Sequence, residues 1–243
     1  MQNRVLISQI TNDCKAFDTE TWISPKFILE KAIDIAGDFI KKSNDSRRLF
    51  KLSEGWTELE CLPMIEVPIE SCPGVDTYTC KILMRSKDKI PDQFSTNYGN
   101  LIKSVASVNY QTFYTPITPK QYRAINSREF RNWKDKYYFF INGYMYIPDS
   151  QVENIRIEAY FKRQWEVERL NQRNNPECST CPTECDIKPL NSNFTCPEYL
   201  INPVKQELYN QIKAVYLQIH GDTYPNIKPE DKQEEKTAGK KNG

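Results

Sequence analysis

The sequence predicts an α+β protein: a terminal helical bundle, made of two N-terminal helices plus a C-terminal helix, around a central, mostly antiparallel β-sandwich or barrel. Three observations predict it. Apolar residues recur at helical spacing near both ends, they alternate with polar ones through the middle, and Pro, Asn and Gly punctuate the alternating part.

Leu6, Ile10, Cys14 and Phe17 follow one another at spacings of four, four and three, the repeat of one helix face. Ser24-Pro25 then supplies an N-cap and a first-turn proline. Phe27, Ile28, Ala32, Ile35, Phe39 and Ile40 carry an apolar stripe up to Lys41-Lys42-Ser43, and the polar run Asn44 to Arg48 closes a helical hairpin. From Trp56 the period changes to two, through Leu59, Cys61 and Leu62 into segments broken by Pro63, Pro68 and Pro73. Strands are expected at Cys80 to Met84 and, after a turn around Asn97 to Asn100, at Leu101 to Val105. Pro119 starts a short helix through Ile125.

The clearest hairpin is Lys136 to Ile141, then Asn142-Gly143, then Tyr144 to Pro148, because Asn-Gly favours the two-residue turn between twisted strands. Ile155, Ile157, Ala159 and Phe161 alternate with Arg156, Glu158 and Tyr160, as in a sheet with one buried and one wetter face. Gln164 to Leu170 turns helical, and Asn171 to Asn193 is a loop crowded with Asn, Pro and Cys. After Pro197 a last helix gathers Tyr199, Leu200, Val204, Leu208, Ile212, Val215, Tyr216 and Ile219 near one face. The polar remainder cannot bury enough surface to order itself, and is expected to fold on binding. The chain therefore divides into a helical hairpin (1–52), a β-domain (53–162), a Cys/Pro/Asn-rich connection (163–197), a helix (198–221) and a disordered charged tail (222–243).

Totals narrow the function classes. At 243 residues one composite domain with a tail is expected, and 33 Lys+Arg against 32 Asp+Glu give a net charge of +1, so nucleic acid is not the default partner. Eight Gly against fifteen Pro argue against a glycine-rich phosphate cradle. Fourteen Tyr and eleven Phe point to a β-rich core, a protein interface, or both. Met1 to Ser8 show no basic start followed by an apolar run, which predicts a reducing, intracellular setting at synthesis. No apolar run approaches the ~18 residues of a membrane span.

Cys178-x2-Cys181-x3-Cys185-x10-Cys196 is the strongest chemical pattern, since four thiolates at such separations can converge on a tetrahedral zinc. The competing reading is packed thiols, as for Cys61, Cys72 and Cys80, because only the first pair has a knuckle spacing. The sole histidine, His220, ends the last helix, where helix carbonyls are its natural partners. Nothing around paired carboxylates such as Glu58 and Glu60 separates an acid from a base. Arg123, Arg128, Arg131, Lys134 and Lys136, interleaved with Tyr122, Phe130 and Trp133, could track a nucleic-acid backbone, although Glu129 and Asp135 dilute them. No catalytic or cofactor-binding residue is assigned, and the chain is not read as an enzyme.

Several strings in fixed order carry a resemblance: Ser24-Pro25-Lys26-Phe27 with Phe39 to Lys42, Trp56 to Cys61, Met84 to Pro91, Ser127 to Phe130, Tyr137 to Pro148, and Phe194 to Leu200. In these the chain resembles a virion ring protein of crAss-like phages. The resemblance implies a podovirus-like neck component, stacked below the portal in a dodecameric ring that connects head to tail and lines or gates the DNA channel. It is similar in role to the tail-tube gatekeepers of short-tailed phages. Implied partners are other copies of the chain, the portal, adjacent neck or tail rings, and genomic DNA passing without sequence specificity; no membrane is implied. Implied location is the virion, after synthesis in the host bacterial cytoplasm. A closing ring needs two unlike surfaces per subunit, for which the first and last helices and the Tyr-rich hairpin are the expected pair. The alternative is a zinc-stabilised protein- or nucleic-acid-interaction module on Cys178, Cys181, Cys185 and Cys196.

Overall fold

The computed structural model describes residues 1–15, 23–45, 55–71, 80–97, 99–128, 134–174 and 187–220. Along the chain the elements are α1 (Asn3–Lys15), α2 (Pro25–Asp45), β1 (Thr57–Glu66), β2 (Leu83–Ser86), β3 (Ser95–Thr96), β4 (Gly99–Asn100), β5 (Ile102–Ser107), β6 (Tyr114–Pro116), α3 (Pro119–Asn126), β7 (Lys136–Ile141), β8 (Tyr144–Pro148), β9 (Asn154–Ala159), α4 (Gln164–Asn174) and α5 (Glu198–His220). The fold is the α+β arrangement that the sequence predicts, with helices at both ends and a β-barrel between them.

Seven strands form one sheet in the order β5-β9-β1-β2-β8-β7-β6. Neighbours run antiparallel except β6 and β7, which are parallel. Ala106 of β5 bridges to Phe113 at the start of β6, so the first and last strands meet and the sheet nearly closes into a barrel. β1 turns the corner, pairing with β9 over Thr57 to Pro63 and with β2 over Met64 to Glu66. A register shift lies between Leu59 and Leu62. Both leucines are fully buried although three residues apart, which period-two alternation forbids and an irregularity in the strand permits.

The β7–β8 hairpin has the expected form. Asn142 and Gly143 both sit at positive φ, 53° and 81°, the pairing of left-handed residues that joins twisted strands tightly. The alternation then sorts its rings. Tyr138, Phe140, Met145 and Ile147 join the barrel's inner core, while Phe139 and Tyr146 turn to the other face and stack with ring centres 5.7 Å apart. Tyr122 of α3 covers that outer pair. The chain reaches this position through β6–α3–β7, a parallel crossover, which needs a long connection and here carries a helix. Thr118 and Gln121 start the helix reciprocally: Gln121 N donates to Thr118 Oγ1 (3.2 Å) and Thr118 N to Gln121 Oε1 (3.0 Å).

The bundle is built on α2, which contacts both α1 and α5. Leu6, Ile10 and Cys14 of α1, and Leu200, Val204, Leu208 and Ile212 of α5, are buried with Ile28, Ala32, Ala36 and Ile40 of α2. Phe27, Tyr199 and Val215 depart from the predicted stripes and stand about half exposed, and the side chains of Tyr216 and Ile219 lie outside the described residues. Phe17 lies outside the described residues. The other side of α2 faces the barrel: Gly37 lets the Phe94 ring approach closely, Glu30 pairs with Arg163 at 3.0 Å, and Tyr160 and Trp165 enter the same core. A strap formed by residues 187–194 is stitched to the first turn of α1. Asn3 N donates to Ser192 O (3.0 Å), Asn3 Nδ2 to Pro189 O (2.7 Å) and Phe194 N to Met1 O (2.8 Å).

Candidate functional site

Of the four cysteines considered as zinc ligands, Cys178, Cys181 and Cys185 lie outside the described residues. Cys196 is 8% exposed, packed into the helical core beside the start of α5, and burial pushes its thiol up to about 12. Cys14 and Cys80 are likewise buried and protonated, their thiols raised first by desolvation. Among the described residues no group of three His, Cys, Asp or Glu stands close enough to hold a metal ion. His220 ends α5 as expected; its side chain lies outside the described residues.

Of the carboxylates singled out in the sequence, that of Glu58 has structural partners. Glu58 Oε1 lies 2.9 Å from Arg156 Nε, at ion-pair distance without a hydrogen bond's geometry, and accepts from the Tyr110 hydroxyl at 2.6 Å. Glu60 is exposed, and its backbone N donates to Asn171 Oδ1 of α4. Between Asp88–Asp92 and α4 lies an open cleft of about 470 Å³ whose charges are partly matched, Arg173 pairing with Asp88 at 3.0 Å.

The basic cluster divides. Arg131, Phe130 and Trp133 lie outside the described residues, and Lys136 donates to the Asp149 carbonyl (3.2 Å), tying it to the end of β8. Lys120, Arg123, Arg128 and Lys134 are exposed on and beside α3. Residues 119–136 hold six basic side chains against Glu129 and Asp135, so the rest of the chain is net acidic and the basic excess is local.

In the Tyr-rich hairpin, Tyr138, Phe139, Met145, Tyr146 and Ile147 are buried against two intramolecular cores, while Tyr137, Phe140, Ile141 and Tyr144 are half-buried. Its rings are needed on both faces because α3 covers the outside of the barrel at this point. Leu6, Ile10 and Cys14 of α1 and Leu200, Val204, Leu208 and Ile212 of α5 are buried in the core they share with α2. Exposed apolar residues include Val5 of α1, Phe27 of α2 and Tyr199 and Val215 of α5, and three more share one loop: Val108, Tyr110 and Phe113, between β5 and β6, are 42%, 45% and 60% exposed. Sequence reasoning passed over them. The available signal was two rings in a segment, Asn109 to Phe113, rich in turn-forming polar residues and without strand alternation.

Comparison with known protein families matches residues 6–232 to the family described as phage tail ring protein 2 of crAss-like phages. The chain belongs to this family. No curated protein matches the chain. The phage tail ring protein 2 match runs from α1 through the barrel to beyond α5, so it takes in bundle, barrel and loop 108–113 together. Among its described residues no helix is long and apolar enough to cross a membrane.

Proposed function

We propose that this protein is a non-catalytic structural subunit of the phage neck, forming a dodecameric ring that joins the portal and head to the tail and surrounds the DNA exit channel. One observation carries the reading: the family match extends over bundle and barrel alike, so the ring-forming unit is the whole fold and not an appended module. Other copies, the portal and adjoining tail rings are its partners in this reading. The virion is its destination, after synthesis in the host cytoplasm. The exposed cations on and beside α3 fit sequence-independent contact with a passing DNA backbone, which needs positive charge and no base readout.

Electron microscopy of virions, with mass measurement of the purified chain, tests the ring and its copy number. Particles lacking the subunit are expected to have filled heads that lose DNA or carry no tail. Normal, infectious particles without it would refute the reading. Elemental analysis addresses the zinc-stabilised module built on Cys178, Cys181, Cys185 and Cys196, which a folded, metal-free chain removes.

A further inference from the structure

The loop joining β5 to β6 holds its apolar residues outward on a rigid support. Ser107 and Asn109 lock the backbone: Thr112 N donates to Ser107 Oγ (3.0 Å), Gln111 N to Asn109 Oδ1 (3.2 Å), Ser107 Oγ to Asn109 Oδ1 (2.7 Å) and Ser107 N to Thr112 O (2.9 Å). Tyr110 adopts φ +56°, a left-handed conformation that residues with a side chain rarely hold unless their surroundings impose it. Its hydroxyl is tethered to Glu58, and the Arg156 guanidinium lies 4.8 Å from its ring centre. Phe113 lies beside it, ring centres 6.3 Å apart. The Phe113 backbone helps to close the barrel, yet its side chain is 60% exposed. Closure therefore uses the main chain and leaves most of the ring exposed.

We propose that the loop Val108–Phe113 docks onto a second copy of this chain, as one of the two unlike surfaces by which the ring closes. This rests on the ring reading above. The charges around the loop decide between occupants. Arg156 is matched by Glu58, and Lys103 by Glu158 at 2.6 Å, so the collar is neutral and favours an apolar protein surface over a polyanion. Aromatic residues on a pre-ordered support are the type that dominates binding at protein interfaces, since little freedom is lost when they dock. A neighbouring copy is the protein partner that every position of a ring supplies.

The test has two parts, both on the full chain. With a photo-crosslinking phenylalanine analogue at position 113, irradiation of assembled particles should give covalent dimers of this chain. Capture only of a different virion protein overturns the proposal. In the second part, Phe113→Ser and, independently, Val108→Ser should raise the protein concentration needed for assembly by about tenfold, with an unchanged circular dichroism spectrum. Folded variants that assemble at the wild-type concentration overturn the proposal while leaving the ring reading intact. Wild-type protein that forms no ring in virions overturns both.

Discussion

Burial of the Cys196 thiol has a consequence that can be read in solution. Its titration is pushed up to about 12 from an ordinary 9, that of Cys80 to about 11, and that of Tyr138 to about 12 from 10, in each case chiefly because burial disfavours the charged form. The unfolded chain releases these protons at their ordinary values while the native protein keeps them. Unfolding is therefore coupled to proton release, and stability present in full below pH 9 is lost as pH rises towards about 12. Urea unfolding followed from about pH 8 to pH 11 should show a falling free energy above pH 9, and Cys196→Val should flatten that fall. Stability independent of pH over this range would contradict the burial of these groups. At this scale the sequence was informative where a residue's local geometry is intrinsic: Asn142-Gly143 states its own turn. It was uninformative about the burial of Cys196, because packing in the helical core depends on contacts between elements distant in sequence.

Asp149 shows how one element is held on another. It sits at φ +51°, accepts from Lys81 N at 2.8 Å and from the Tyr122 hydroxyl, and its carbonyl receives Lys136. Four parts of the chain thus converge on the residue after β8: the lead into β2, α3, β7 and β8 itself. Asp149→Ala removes two acceptors and places a Cβ-bearing residue without a compensating side-chain bond in the left-handed region. It should destabilise the protein by about 2–4 kcal/mol and expose α3 to early proteolytic cleavage. Asp149→Asn, which tolerates that backbone and keeps an acceptor, should cost less; equal losses for the two would refute this account. The same neighbourhood explains which strands were legible. β7, β8 and β9 announce themselves by alternation, whereas β6 is three residues long and pairs in parallel with β7 across α3. The strand expected at Cys80 to Met84 begins later, at Leu83, because Asp149 holds Lys81 through its side chain and not through a ladder.

At the scale of the molecule, α2 belongs to two assemblies at once. One side supports α1 and α5, and the other meets Phe94, Tyr160 and Trp165, so the bundle core runs into the base of the barrel. The two should therefore melt together: calorimetry of the full chain is expected to give one transition, and Phe94→Ala to lower it by about 3–5 kcal/mol as a whole, without splitting it. Two resolved transitions would show that barrel and bundle are independent. The architecture, bundle plus barrel, was legible because both periodicities are strong. The exposed loop was not, since what distinguishes Tyr110 and Phe113 from core rings is the closure of the sheet around them.

That closure has one more effect. A sheet whose outermost strands meet at a bridge shortens the unpaired row of N–H and C=O groups at its rim, and such rows let crowded copies stick to one another indiscriminately. A building block made in quantity must avoid that fate until its proper neighbour arrives. In the contact proposed for Val108–Phe113, recognition falls to side chains, whose shapes can admit one partner and refuse the rest.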